Sequence, residues 1–539
     1  MAGGLLQLAA VGSQNQYLTG NPQMTFFKVV YRRYTNYSME FIEQTFDGPN
    51  ELDITNSVKL TSKIGRNADL ISQMYFVFEV PDIYSHYDPV SLKTYRFRWI
   101  KNLGSNIIRH ATFLIEGQKI DRQYGEWMQI WNELTLTDSQ IDTYNRMIGN
   151  TPDMYDPESS VGRNGFYPIS TLNPDLNLDP DLPSSAKFFA EANIADNPYN
   201  KPPSIQSRTI YVPLNFWFCR NPGLALPLIA LQYHEVSVEI ELRPVVDLYT
   251  IIETRQDNDN YGIRVKPNPL RTDQHISQFL YNGGNQPQEN SNITQDPQSF
   301  SGWGLKPRLD INYIYLDYEE RLKFASTSHE YLIETVQVQN STGIIGSKQI
   351  PLKNFNNPVK QLVWVARRND AAVRNDWNNY TNWVYEDIPP DTISYQFLIS
   401  ELANDSQSTM IPTKSTHRYF QRHIIRHAKL MFNGIDRFSS RPNEFFNLVQ
   451  PFQHSIRGPK DGVYMYSFSL DNQRFQPSGA CNMARLSNVV LDLETTEVPS
   501  RISYNENLQY HYMFDVDVYA VSYNILKIMG GMASTAFNS

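Results

Sequence analysis

Residues 236–242 alternate apolar and polar side chains. Val236, Val238, Ile240 and Leu242 fall on one side, and Ser237, Glu239 and Glu241 on the other. A period of two marks a strand buried on one face. Val516 and Val518 against Asp515 and Asp517 give the same signal. Read this way, the first half of the chain predicts strands at 39–46, 57–64, 71–80, 95–99, 107–116, 208–216, 232–242 and 310–318. The second half predicts them at 330–338, 344–351, 359–366, 413–420, 424–432, 463–470, 488–493 and 512–524. Helical spacing shows after residue 117, where Trp127, Ile130, Trp131 and Leu134 share a face. Asp138 is placed to cap a second short helix carrying Ile141, Tyr144 and Ile148. Eight strands per half with uneven connections predict an all-β chain, and suit a jelly roll better than a barrel of even hairpins.

The two halves are related. Ile107-Ile108-Arg109-His110-Ala111 returns 317 residues later as Ile424-Ile425-Arg426-His427-Ala428, and Gly117 returns as Gly434. After a two-residue deletion, Ile120-Asp121-Arg122 matches Ile435-Asp436-Arg437. Ile42-Glu43 resembles Ile333-Glu334, and 73–77 resembles 361–365. Offsets that differ along the chain read as cores of constant size joined by loops of different length. This is a tandem duplication with its seam near 325–328.

Lettered B to I in order, the predicted strands leave long connections in particular places. In the first half FG covers about 117–207 and HI about 243–309, whereas CD (65–70) and EF (100–106) are short. In the second half DE covers about 367–412. A jelly roll carries BC, DE, FG and HI at one end, so the long loops and short helices are expected there. Long loops in compact domains are usually functional.

Composition narrows the classes. A chain of 539 residues exceeds what one core usually serves, in keeping with the duplication. With 33 Tyr and 28 Phe it favours strands, and Pro at 32 against Gly at 26 points to rigid turns. A net charge of −9 opposes a nucleic-acid coat, so no direct nucleic-acid partner is expected. Cys219 and Cys481 are too few for a disulfide framework and are read as free thiols. No apolar run approaches a membrane span, and the first ten residues lack the basic start of a signal peptide. A soluble protein made in the cytoplasm is the expectation.

Catalytic chemistry finds no foothold. No Gly-rich phosphate loop, nucleophile elbow or Cys-His set is present, so no catalytic or cofactor-binding residue is assigned and no cofactor is expected. His423 and His427 stand four apart with His417 nearby, a spacing that holds zinc on a helix. Here the stretch alternates as a strand; the repeated Arg-His pair reads as a source of structural hydrogen bonds, and no metal site is assigned. Lys28, Tyr31, Arg32 and Arg33, beside Phe26, Phe27 and Tyr34, form a short basic-aromatic cluster. It reads as a contact of an N-terminal arm with the body or another subunit, where Arg and Tyr are favoured. Asn36, Asn292, Asn340, Asn379 and Asn404 begin Asn-x-Ser/Thr triplets. Asn292 and Asn379, in long loops, are the candidates for glycan attachment.

Several ordered blocks are similar to one family. They are Met1-Ala2-Gly3-Gly4, Tyr17 to Gln23, Thr25-Phe26-Phe27-Lys28 and Tyr31 to Tyr34 at the start. Asn221-Pro222-Gly223-Leu224-Ala225-Leu226-Pro227 with Tyr233-His234-Glu235-Val236, and Tyr313 to Asp317 with Glu320-Arg321, lie in the middle. Gln476-Pro477-Ser478-Gly479 with Cys481-Asn482, Tyr519-Ala520, Tyr523-Asn524 and Gly531-Met532-Ala533 close the chain. Together they resemble the major capsid proteins of nucleocytoplasmic large DNA viruses, and most of all those of large algal viruses and their relatives. The resemblance implies a double jelly roll: arm 1–35, first roll 36–326, second roll 327–528 and tail 529–539. It further implies a structural subunit, without catalysis, of an icosahedral shell in the virion. Three chains would form a homotrimer of pseudo-hexagonal outline, meeting neighbouring capsomers, minor capsid proteins below, and the inner membrane only indirectly or through the arm. Surface glycans are a further implication. Two alternatives remain: a transient assembly scaffold of the same fold, and a carbohydrate-binding or carbohydrate-active jelly roll.

Overall fold

The alternation at 236–242 becomes a central strand whose four apolar residues are buried and whose polar residues are half-exposed. The structure, a computed structural model, describes residues 3–85, 87–88, 93–160, 167–168, 203–254, 262, 264–280, 303–386, 421–498, 502–503, 509–510 and 512–537. Eight strands frame a first sandwich: β1 (Tyr37–Thr45), β2 (Val58–Lys63), β3 (Leu70–Val80), β4 (Ile108–Ile115), β5 (Gln118–Tyr124), β6 (Arg208–Pro213), β7 (Val236–Leu242) and β8 (Arg308–Leu316). One antiparallel sheet has the order β1-β8-β3-β6 and the facing sheet β2-β7-β4-β5.

A second sandwich repeats this. Its strands are β9 (His329–Ile344), β10 (Ser347–Pro351), β11 (Pro358–Arg368), β12 (Ile425–Phe432), β13 (Ile435–Asp436), β14 (Val463–Ser467), β15 (Val489–Thr495) and β16 (Phe514–Met529). The sheets run β9-β16-β11-β14 and β10-β15-β12-β13. Adding eight to every strand number converts one roll into the other, which makes the chain a double jelly roll. Each sandwich closes on its own core, the first around Phe76, Phe78, Phe113 and Ile240, the second around Trp364, Tyr464, Leu491 and Val518.

Two strand assignments need correcting. Residues 95–99 are not the fourth strand of the first roll; only Arg98–Trp99 pairs, with Tyr249–Ile252, outside both sandwich sheets. The fourth strand is β4, and its hairpin partner β5 was hidden by its polar sequence. Tyr95, Phe97 and Trp99 alternate because they are buried in an aromatic layer with Tyr249, Phe279 and Trp303. Alternation reported burial there and not membership of the sandwich. The connection after β5 therefore starts at Gly125 rather than at 117. In the second roll the same shift makes β12 the fourth strand, and the predicted strand 413–420 lies outside the described residues.

The repeated sequence encodes two devices. Opposite β7, His110 faces Glu241 and Ile108 faces Leu242, so Arg109 is skipped as a bulge. Opposite β15, His427 faces Glu494 and Ile425 faces Thr495, so Arg426 is skipped in the same way. The hairpins that follow turn on Glu116-Gly117 and Asn433-Gly434, all four residues left-handed, as a two-residue turn of matching twist requires. By register, however, Ile435 and Asp436 stand where Gln118 and Lys119 stand. The Ile-Asp-Arg identity is thus not a structural equivalence.

Five helices matter below. Helix α1 (Gly3–Ala9) lies in an arm that is exposed from residue 3 to 36. Helix α2 (Gly125–Thr135) follows β5 directly, and α3 (Asp138–Met147) is capped by Thr137 with Gln140 rather than by Asp138. Helix α4 (Tyr318–Ser326) links the rolls, and α5 (Gln450–His454) continues a π-helical turn, Phe445–Val449. Among the described residues no helix is long and apolar enough to cross a membrane.

Candidate assembly interface

The rolls are joined where α2 of the first lies on the β9-β16-β11-β14 sheet of the second. Helical spacing put Trp127, Ile130, Trp131 and Leu134 on one face. In the structure that face is buried against Val336, Val363, Val365, Tyr380, Val463, Met465, Tyr519 and Val521. The rings of Trp127 and Tyr519 have centroids 5.0 Å apart. The far ends of β9 and β16 reach past their own roll, so Ile333, Leu526 and Ile528 join the first roll's core.

Buried charges fix the register of this seam. Glu126 on α2 accepts from Arg243 of its own roll at 2.9 Å and from Arg367 of the other at 2.7 Å. Arg367 also reaches Asp517 at 2.6 Å. Burial opposes the charge on Arg367, but Glu126 and Asp517 outweigh it and hold its pKa above the ordinary value. Burial pushes the Asp517 carboxyl up to about 6 despite Arg367. A second cluster brackets Trp131: Arg220 stacks on its ring at 4.1 Å and pairs with Glu334 at 3.1 Å, which also takes Lys360 at 2.5 Å. Such pairs contribute modestly to stability, but breaking one strands a buried charge.

The repeated Arg-His pair resolves into contacts with a glutamate on the β2-β7-β4-β5 and β10-β15-β12-β13 sheets. Arg109 and His110 converge on Glu241 at 2.9 and 3.5 Å, and Arg426 and His427 on Glu494 at 3.2 and 3.3 Å. His423 instead meets the Tyr464 hydroxyl at 3.2 Å, and His417 lies outside the described residues. Among the described residues no group of three or more His, Cys, Asp or Glu is gathered. Cys219 and Cys481 are free and half-buried, and burial pushes both thiols up.

The other sequence candidates separate. Lys28, Tyr31, Arg32 and Arg33 all lie in the exposed arm, with Tyr31 78% exposed, and form no hydrogen bond or ion pair among the described residues. Asn292 is outside the described residues. Asn379 is 2% exposed. Its Nδ2 donates to Asp376 and to the Trp383 carbonyl, and its Oδ1 accepts from Thr381 N–H and O–H. That nitrogen is committed to the fold, so Asn379 is corrected from a surface acceptor to a loop staple. Asn36 and Asn340, by contrast, are exposed.

Sequence reading missed two apolar surfaces. One is the outward face of Phe445–Val449 and α5, where Leu448, Val449 and Phe452 are 58, 41 and 88% exposed. The other is the outer face of the β1-β8-β3-β6 sheet, with Met39, Phe41 and Tyr211 exposed at 57, 55 and 38%. Extending the repeat beyond Gly434 would have exposed the first, since Phe445 to Phe452 mirror Trp127 to Leu134.

Comparison with known proteins agrees with this architecture. A family model described as major capsid protein N-terminus matches residues 25–272, and one described as large eukaryotic DNA virus major capsid protein matches residues 320–534. The major capsid protein of Phaeocystis pouchetii virus is 33% identical over 100% of both chains. That of Paramecium bursaria Chlorella virus 1 is 30% identical, again over 100% of both. The solved PBCV-1 virus capsid, a quasi-atomic model, contains a chain 27% identical with a TM-score of 0.59, covering 96% of this chain and 100% of that one.

Proposed function

The chain belongs to the major capsid protein family of large eukaryotic DNA viruses, and from that membership we propose that it works as a cyclic trimer tiling the shell. It is a structural component of the virion capsid and not an enzyme. The observation that supports the trimer is the seam. Two rolls of one strand order are locked laterally through α2, so each chain supplies two wedges of one kind. Three chains closing in a ring supply six wedges, and closure ends growth. A near-hexagonal unit then packs edge to edge with neighbouring capsomers.

The uncommitted arm fits contacts below the shell. Lys28, Tyr31, Arg32 and Arg33 are free to meet a neighbouring subunit or a minor capsid protein, and membrane contact would pass through the arm. Glycans are left to exposed or undescribed acceptors, Asn292 among them. Sedimentation velocity of the purified full chain should give a trimer, and negative-stain images a hexagonal outline about one trimer wide. A monomer at micromolar concentration would overturn the proposal.

A further inference from the structure

The cis seam predicts its own counterpart between chains. Tyr124 faces His110 and Pro442 faces His427 at equivalent points of the two hairpins, which sets an offset of 318 for the helices that follow. At that offset Met128 corresponds to Phe446, Gln129 to Asn447 and Asn132 to Gln450, and all six are buried. The seam residues Trp127, Ile130, Trp131 and Leu134 correspond to Phe445, Leu448, Val449 and Phe452. The first four are buried against the second roll; of the latter four, Leu448, Val449 and Phe452 are exposed. Among the described residues the second roll thus carries the same docking face exposed.

The receiving sheet is also duplicated. In the second roll α2 covers Val363 and Val365, which pair with Tyr519 and Asp517 on β16 and with Met465 and Val463 on β14. In the first roll the corresponding pairs are Tyr75 and Val77 with Asp310 and Arg308 on β8, and with Pro213 and Tyr211 on β6. Phe41, whose ring lies 6.1 Å from that of Tyr75, takes the place of Val336 through its pairing with Asn312. Among the described residues α4 reaches only the Ile314–Leu316 end of this face, through Phe324, and Phe41 and Tyr211 stay exposed although Val77 is already buried.

We propose that the helical segment 445–454 of one chain docks on the β1-β8-β3-β6 face of a second copy, repeating in trans the contact α2 makes in cis. This rests on the trimer reading and names its contact surface. A fixed rotation between roll and roll, applied six times, closes the ring, so the second copy is the occupant the repeat specifies. Charge agrees at one point. Glu126, the acid that opens α2, corresponds to the exposed Glu444. Arg308 stands where Asp517 stands and puts a base there, itself beside Glu43 and Asp310, whereas the place of Arg367 is held by Glu79, which pairs with Lys306.

The test uses the full chain. Leu448→Asp with Phe452→Asp alters exposed side chains, so far-UV circular dichroism, and melting at concentrations too low for association, should match the wild type. Association should weaken by at least about a hundredfold in sedimentation velocity. Glu444→Arg should weaken it too, and Arg308→Glu in the same chain should restore it. Mixing Val449→Cys chains with Phe41→Cys chains should give a mixed disulfide, identified by mass spectrometry, between 449 and 41. A folded Leu448→Asp/Phe452→Asp chain that still trimerises, or a trimer without the mixed disulfide, overturns the docking contact while leaving the trimer standing. A wild-type chain that stays monomeric overturns both.

Discussion

Replacing Trp127 by alanine should cost about 3–5 kcal/mol of unfolding free energy. The ring is fully buried at the seam, with centroids 5.0 Å from Tyr519 and 5.8 Å from Trp131. Burying an aromatic of this size removes roughly 150–250 Å² from water, worth roughly 4–6 kcal/mol at ~25 cal/mol per Å². Alanine keeps roughly 1 kcal/mol of that, which leaves roughly 3–5 kcal/mol. Trp127 Nε1 has no acceptor among the described residues, so truncation strands no partner. The matched control is Phe452→Ala, at the position equivalent to Leu134 but 88% exposed, which should change monomer stability by less than about 0.5 kcal/mol. Both are read by guanidinium unfolding, followed by circular dichroism at concentrations too low for association. A loss below about 1 kcal/mol for Trp127→Ala, or equal losses for the two, would refute the assignment of α2 as the clamp between rolls.

Three further outcomes follow from individual sites. Burial pushes the Asp121 carboxyl from 3.8 up to about 6, so the folded chain holds a proton there that the unfolded chain has lost. Stability from this group therefore falls as pH rises from about 4 to about 6, by about 3 kcal/mol in all. Asp121→Asn should flatten that part of the urea-midpoint profile, and an unchanged slope counts against it. Glu116→Asn should raise stability by up to about 1 kcal/mol in thermal melts, because asparagine tolerates the left-handed φ of 50° better than glutamate. Asn433 already makes the equivalent bond, accepting from Asn488 N–H at 2.9 Å as Glu116 does from Glu235 N–H at 3.0 Å, so a destabilised variant would contradict the turn equivalence. Peptide mapping of virion-derived protein should find Asn379 bare, and Asn379→Ala should cost about 2 kcal/mol by orphaning the buried Asp376 and Thr381 groups. A glycan on Asn379 would refute the staple.

Legibility differed by scale. The repeated Ile-Ile-Arg-His-Ala marked equivalent strands because it encodes a bulge with an Arg-His-Glu ion-pair set, and each member needs a particular side chain. Strand β5 was lost because Gln118, Lys119, Asp121, Arg122 and Gln123 give no apolar alternation; its pairing comes from the turn at Glu116-Gly117. Asn379 read as a surface acceptor because a triplet records nothing of burial. Its role depends on Asp376, Thr381 and Trp383 folding round it.

Local pattern and internal repetition by themselves determined that this is an all-β chain of two related jelly rolls; its likeness to a capsid-protein family rested on the ordered sequence blocks. Periodicity and identity act over a few residues and survive without knowledge of contacts. Which apolar faces are covered was decided only by the tertiary structure. Trp127 to Leu134 and Phe445 to Phe452 carry the same kind of sequence, yet the outer face of one is buried and that of the other, Leu448, Val449 and Phe452, is exposed. The difference lies in what each helix meets: the first roll's helix finds the second roll on its own chain, while among the described residues the outer face of 445–452 stays exposed.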